Sequence, residues 1–139
     1  MMAREPSAAT TREPRVFEAL RRIAREGPVE VSVRGDCMAP LLADGERVRV
    51  AAARVYWPGD VLVFRAADGR LLAHRLLGYR PFAGGLALVT RGDACVVHDA
   101  PVPPAAVLGR IAAARPSLAV RVRALRLFFG LVLRWRRRR

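Results

Sequence analysis

The chain has 139 residues and a mass of 15.3 kDa, which suffices for one domain with a single core and is too small for two. Its hydrophobic fraction of 53% excludes global disorder. The formal net charge is +13, and all 25 basic residues are arginine. Nine of these arginines lie in the last 25 residues, which contain no acid, so most of the positive charge belongs to the C-terminal segment.

The N-terminal region divides into a lead and a helix. Residues 1–13 are mostly small and polar, so we predict a disordered lead, and no apolar run follows its early arginines as a signal peptide requires. Over residues 14–27, an apolar repeat at helical spacing begins with Val16, Phe17 and Leu20 and ends at Gly27. We predict an amphipathic helix that packs against the domain, with membrane contact as the alternative. Its charged residues exclude a bilayer-spanning helix.

Short apolar or alternating runs follow, separated by turn signals such as Asp68-Gly69 and Gly84-Gly85. They predict a mainly β domain over residues 28–115, built of antiparallel sheet structure that curls on itself. With the N-terminal helix and a basic C-terminal helix, this makes one domain flanked by two helices. The predicted strands cover residues 29–33, 47–51, 61–66, 70–79 and 86–90.

A cysteine follows the first predicted strand, in the sequence GDCMAP at residues 35–40. A cysteine in such a place is more often a small buried hydrophobe than a nucleophile, so the neighbouring motifs decide its interpretation. Those motifs follow in a fixed order along the chain. They are Pro58-Gly59-Asp60, Ala73-His74-Arg75, Gly92-Asp93, Asp99 and the run LGRI at residues 108–111.

In order and spacing, these stretches resemble the signal peptidase I superfamily, which also includes the self-cleaving SOS repressors and carries a Gly-x-Ser-Met-x-Pro box. The likeness extends over roughly residues 30–112, with Cys37 in place of the family's serine. Because the chain contains no lysine, the Ser/Lys dyad of the bacterial enzymes is excluded. The chain is therefore most similar to the histidine-containing branch, found in archaeal and eukaryotic enzymes. The resemblance implies curled antiparallel sheets of the signal peptidase-like fold and an endopeptidase that cleaves a precursor beside small residues.

The resemblance also implies roles for individual residues. Cys37 is the nucleophile, His74 is the base, Asp93 or Asp99 orients that base, and the backbone N–H of Cys37 contacts the oxyanion. The thiolate is the reactive form and a free thiol has a pKa of ~8.5, so a nearby imidazole is needed at neutral pH. The hairpin turn at residues 68–69 is predicted to bring His74 beside Cys37. Predicted substrate contacts are Gly35, Asp36, Met38 and Pro40.

Alternatives to these roles remain open from the sequence. His74 stands in an apolar run, where a hydrogen-bonded core histidine is the ordinary interpretation, and His98 is a competing base next to Asp99. Asp93 and Asp99 also occur in turn-forming pairs, so either can be structural.

The second cysteine, Cys95, follows Asp93 closely, so we expect it near the site, where a redox-sensitive pair with Cys37 is an alternative role. Two cysteines do not make a disulfide scaffold. No metal site and no cofactor are predicted, because no Cys-x-x-Cys or His-x-x-x-His pairing occurs.

In the C-terminal segment, residues 116–139, one helical face is apolar and the arginines lie mostly on the other. The apolar face consists of Leu118, Val122, Leu125, Phe129 and Val132. The uninterrupted apolar run of the segment covers only residues 127–133, too few for the ~20 that a bilayer-spanning helix needs. We predict an interfacial helix on an anionic membrane. Nucleic-acid binding by the arginines and docking on the domain core are the alternatives. The predicted membrane contacts are Phe128, Phe129, Val132, Trp135 and Arg136.

The favoured function is a signal peptidase-like endopeptidase with a Cys/His acyl-enzyme mechanism, whose partners are a polypeptide substrate and a membrane surface. A catalytically inactive peptide-binding relative is the second hypothesis, and an arginine-rich adaptor for membranes or nucleic acid is the third. With no signal peptide and no spanning helix in the sequence, we expect a cytoplasmic protein in peripheral contact with the inner membrane face.

Overall fold

The computed structural model describes residues 14–139, so the lead predicted at residues 1–13 lies outside the described residues. It consists of six strands and two α-helices, with a single 3-10 turn at Pro104–Ala106. The elements in chain order are α1 (Pro14–Glu26), β1 (Val29–Ser32), β2 (Arg47–Ala51), β3 (Val61–Arg65), β4 (Leu71–Phe82), β5 (Gly85–Arg91), β6 (Val107–Ile111) and α2 (Leu118–Arg137).

The strands form one antiparallel sheet in the order β1-β2-β6-β3-β4-β5. The last strand, β6, is inserted between β2 and β3, where it pairs Arg110 with both Ala51 and Leu62. The sheet stays open, with β1 and β5 at its edges. The predicted mainly antiparallel β structure with a helix at each end is therefore confirmed, and the expected curling does not close the sheet.

Helix α1 covers one face of the sheet. Its Phe17 and Ala24 are buried in the same core cluster as Val31 of β1 and Val50 of β2. In β1 the valines at 29 and 31 are buried and Glu30 is exposed, as expected for a strand with one face on the core. The prediction that the N-terminal helix packs against the domain is confirmed.

The opposite face of the sheet has its own core, which includes Leu62, Leu76 and Leu88. The segment after β5 folds back along that edge strand, since Leu88 and Val102 exchange both backbone hydrogen bonds, at 2.8 and 2.9 Å. Asp99 N donates to Thr90 O in the same way, at 2.8 Å. This return covers part of an otherwise unpaired strand edge and fixes the position of Asp99.

Helix α2 docks on the sheet at β4 and β5. Its N-cap is Ser117, whose hydroxyl accepts a hydrogen bond from Val120 N at 3.3 Å. The Phe128 ring lies against Gly78, so closely that a β-carbon there would be 2.6 Å from a ring carbon. Together with Leu77 and Val89 of the sheet, the docked face of α2 contains Ala124, Leu127, Phe128, Leu131 and Trp135.

A buried ion pair holds the N-terminal half of α2. Arg121 Nη1 lies 3.1 Å from Asp60 Oδ1, and Asp60 is almost fully buried before β3. The same nitrogen donates to Pro58 O at 3.1 Å. One face of α2 therefore docks on the domain, which was one of the alternatives given from the sequence. Within residues 14–139, neither helix combines the length and the unbroken hydrophobicity that crossing a bilayer requires.

Candidate active site

The predicted nucleophile lies in a turn between β1 and β2. Val33 and Gly45 close the base of this loop, with Gly45 N donating to Val33 O at 2.8 Å, and Gly35 N donates to Asp44 Oδ1 at 2.8 Å. Met38 is 3% exposed and belongs to the α1-side core, so it anchors the turn from below. Cys37, its neighbour, is left half-buried at the surface of the loop.

Cys37 packs directly against Gly92. A β-carbon added at Gly92 would lie 2.7 Å from Cys37 Cβ and 2.8 Å from Cys37 O, well inside van der Waals contact. Two backbone contacts hold the chains together on either side: Ala94 N donates to Cys37 O at 2.8 Å, and Asp93 N donates to Met38 Sδ at 3.3 Å. The loop that carries Cys37 can therefore reach the end of β5 only because residue 92 has no side chain.

The strand register places His74 next to this contact. Arg75 pairs with Arg91 at the end of the β4–β5 ladder, so His74 and Gly92 are the next residues beyond this last pair on their two chain segments. Because Cys37 contacts Gly92, the loop that carries Cys37 and the strand that carries His74 meet at this end of the sheet. Among the described residues, no hydrogen bond yet joins Cys37 to His74.

Asp99 holds the imidazole of His74. Its Oδ2 lies 2.5 Å from His74 Nδ1, and the same oxygen accepts a hydrogen bond from Thr90 Oγ1 at 2.7 Å. Because a carboxylate only accepts, the proton of a neutral His74 resides on Nδ1, which leaves Nε2 as the lone-pair nitrogen. The ring is 6% exposed and packs edge-on against Phe64, with centroids 5.7 Å apart. Nε2 makes no hydrogen bond within residues 14–139, so it is available to another group.

Asp93, the other predicted acid, contacts an arginine instead of the histidine. Both of its oxygens accept from Arg75, from Nε at 2.7 Å and from Nη2 at 2.7 Å, while Arg75 Nη1 donates to Gly59 O at 2.7 Å. This two-pronged pair ties the Asp93 turn to β4 and to the loop before β3. The geometry thus assigns the orienting position to Asp99 and a structural contact to Asp93.

The remaining predicted residues fall into two groups. His98, the competing base, stacks edge-on against Trp135 at a centroid distance of 5.9 Å and so points toward α2. Gly35, Asp36 and Pro40 are exposed around Cys37, where a substrate can reach them. Met38 differs from these three, because it is buried beneath the loop and away from the exposed surface that they form.

Sequence reasoning missed two residues of the arrangement, Thr90 and Arg75. Thr90 is fully buried in β5, at a position where an apolar residue would be expected, so its polarity was an available signal for a buried hydrogen bond. Arg75 directly follows His74, but its partner Asp93 becomes apparent only from the register of β4 with β5.

Cys95 lies beside the predicted nucleophile, as expected. Its Sγ is 2.9 Å from the same added β-carbon at Gly92 that contacts Cys37, and both thiols are free. A hydrogen bond to Cys37, reinforced by desolvation and by the charge of Cys37, raises the pKa of Cys95 from 9.0 to about 11. Cys95 therefore stays protonated to a more alkaline pH than an ordinary thiol does.

A cavity of 290 Å³ adjoins the loop that carries Cys37. The cavity is bounded by Ala39, Pro40, Asp93 and the α2 residues Ala124 and Leu127. The larger cavity of 640 Å³, between α1 and Tyr79, contains none of the predicted site residues. We therefore place the candidate site by its chemistry and not by cavity size. No group of three or more His, Cys, Asp or Glu side chains in residues 14–139 converges as metal ligands would.

Comparison of the chain with protein families, with curated proteins and with solved structures finds no match. The likeness to signal peptidases thus remains a resemblance of motifs, and function has to be inferred from the site's own geometry. The site contains a half-buried thiol, and an imidazole with a free Nε2 and a carboxylate on its Nδ1. Such a set supports nucleophilic attack by sulfur with histidine as the proton carrier.

Proposed function

We propose that this protein is an endopeptidase that cleaves a polypeptide precursor through a Cys37/His74 acyl-enzyme mechanism. The observation that carries the proposal is the contact of Asp99 with His74 Nδ1, because it places the ring proton on Nδ1 and leaves Nε2 free to act as a base. A buried core histidine also needs a hydrogen-bond partner, so what favours a base here is that Nε2 has no partner within residues 14–139 while Asp99, itself bonded to Thr90, holds Nδ1.

In the acylation step, Nε2 of His74 takes the thiol proton and the Cys37 sulfur attacks the carbonyl carbon of the scissile peptide. The C–S bond forms as the carbonyl π electrons move to oxygen. When the tetrahedral intermediate collapses, the C–N bond breaks and the amine leaves with the proton held by His74. Asp99 stabilises the imidazolium that exists between these two proton transfers.

The oxyanion of that intermediate needs a donor that is not already used. The backbone N–H of Cys37 donates to no acceptor within the described residues, whereas the neighbouring Ala39 N is bonded to Asp36 O at 2.9 Å. An unused N–H beside the nucleophile is the usual geometry of an oxyanion contact. Water then attacks the thioester, His74 accepts its proton, and the acid product leaves as the Cys37 thiol is restored.

The proposal extends to the fold and the substrate. The open antiparallel sheet, with the nucleophile in the turn after β1 and the base on β4, is compatible with a signal peptidase-like fold. Preference for small residues beside the scissile bond comes from the motif resemblance. The cavity next to Ala39 and Pro40 supplies a place for a substrate side chain.

The test is the pH dependence of Cys37 alkylation by iodoacetamide, measured in a Cys95→Ser background. We expect Cys37 to react well below pH 8 and the His74→Ala variant to shift its profile to that of a free thiol. His98→Ala is the matched control, because it removes the other histidine, which contacts Trp135. A profile that His74→Ala leaves unchanged would contradict the dyad.

An electrophilic peptide separates the enzyme from an inactive relative. A peptidyl chloromethyl ketone ending in alanine should label Cys37 and leave Cys95 unmodified, as read by mass spectrometry of tryptic peptides. The inactive peptide-binding alternative is favoured by the lack of a Cys37–His74 hydrogen bond in the described structure. If the labelled peptide binds without forming an adduct, that alternative is the better description.

A further inference from the structure

Helix α2 has a second apolar face that the domain does not cover. Its docked face, from Ala124 to Trp135, already satisfies the packing of the helix against the sheet. The second face repeats at intervals of four, three, four and four residues and is exposed, by between 38% at Leu125 and 78% at Leu118. This outer stripe consists of Leu118, Val122, Leu125, Phe129 and Leu133.

The outer stripe runs along about 22 Å of the helix, from its first residue to its last turn. Monomeric soluble proteins rarely leave so long a contiguous apolar surface in water. Because Arg121 and Asp60 fix the docked face, the helix cannot simply rotate to bury the stripe. Something outside the described residues must cover it.

A row of arginines borders the outer stripe along one flank of the helix. Successive helical residues are ~100° apart, so Arg123, Arg126, Arg134 and Arg137 form a third face between the stripe and the docked face. Within residues 14–139 none of these four forms an ion pair, and no acidic residue occurs after Asp99. The surface next to the stripe is therefore uniformly positive.

We propose that the outer stripe of α2 lies in the headgroup boundary of an anionic membrane, with the arginine row on its lipid phosphates. A second copy of the chain fits less well, because pairing two stripes would bring two unneutralised arginine rows together. Nucleic acid would engage the arginines and leave Phe129 and Leu133 in water. Only a lipid surface provides both apolar depth and negative charge.

The assignment changes which residues contact lipid. Phe128 and Trp135, predicted as membrane contacts, belong to the docked face, where Trp135 also lies under Arg80 at 4.3 Å. Val132 is half-buried at the border, whereas Phe129 and Arg136 remain on the exposed side. The inference is independent of whether Cys37 is a nucleophile.

The experiment is co-sedimentation of the full chain with phosphatidylcholine vesicles, with and without a third of the lipid replaced by phosphatidylglycerol. We expect binding to the anionic vesicles and about a tenfold weaker partition for Leu133→Ser. Ile23→Ser is the matched control, since Ile23 on α1 is exposed to 53% and Leu133 to 57%, so both variants should fold. Thermal melts of both verify this.

Three results would overturn the proposal. Equal binding by Leu133→Ser and Ile23→Ser would mean that arginine charge alone holds the protein to lipid. Equal binding to neutral and anionic vesicles would mean that the arginine row does not contribute to the contact with lipid. A lipid-free dimer in sedimentation velocity that Leu133→Ser dissociates would show that a second copy covers the stripe.

Discussion

Asp99 uses one carboxylate oxygen to hold two side chains, His74 at 2.5 Å and Thr90 at 2.7 Å. In Asp99→Asn the side chain can present an amide N–H to the ring, which favours the wrong tautomer. We expect the rate of Cys37 labelling by the chloromethyl ketone to fall by roughly 10² or more. Asp93→Asn is the control, since its carboxylate contacts Arg75, and it should retain most of the rate. Equal losses in both variants would refute the assignment of Asp99.

The Gly92→Ala variant tests whether the loop that carries Cys37 has to approach the end of β5 closely. In Gly92→Ala the new methyl group would meet Cys37 Cβ at 2.7 Å and Cys95 Sγ at 2.9 Å, so the loop must move. We expect a loss of about 1–3 kcal/mol in the free energy of unfolding and a large loss of Cys37 labelling. Urea unfolding and the labelling rate measure the two effects. Gly27→Ala, where no atom lies within 4 Å, should change neither.

Local signals in the sequence were sufficient for much of this molecule. The turn at residues 68–69 was predicted from Asp68-Gly69, because glycine adopts a positive φ easily, and Gly69 has a φ of 87°. The choice between Asp93 and Asp99 was not accessible in this way, because it depends on Arg75 reaching across the β4–β5 register to claim Asp93. Cross-strand contacts of this kind have no signature along the chain.

Helix α2 shows a second limit of sequence reasoning. The periodic face found in the sequence, which includes Leu118, Val122 and Phe129, is the exposed one. The docked face, around Ala124 and Phe128, is equally apolar. Periodicity identifies an apolar face but cannot say which of two such faces meets the sheet, since that depends on tertiary fit such as the space left by Gly78.

The buried Asp60 carboxylate is expected to make Arg121 the most costly arginine of α2 to replace. Arg121→Leu removes the 3.1 Å contact with Asp60. The Asp60 carboxylate then keeps only the hydrogen bond from Trp57 N and the more distant Arg110. We expect a loss of about 2 kcal/mol in the free energy of unfolding, together with a change in Trp135 fluorescence as the helix loosens. Arg123→Leu removes the same charge from an exposed site and should have little effect. Similar losses in both would show that the ion pair does not hold the helix.

Cys95 provides a test of the thiol pair at alkaline pH. Its pKa is raised to about 11 in the folded protein, first by the hydrogen bond to Cys37, and the ordinary value is 9.0. The folded state therefore keeps a proton that the unfolded state releases, so this stabilising contribution is complete below pH 9 and is lost as the pH rises through 11. In Cys37→Ala the hydrogen bond and the neighbouring charge are absent, and the pKa of Cys95 should return toward 9.0. Thiolate absorbance of Cys37→Ala, compared with that of Cys95→Ala to separate the two thiols, measures the shift. An unchanged Cys95 titration in Cys37→Ala would mean that the two sulfurs do not interact in solution, and the arrangement at Gly92 would then need revision.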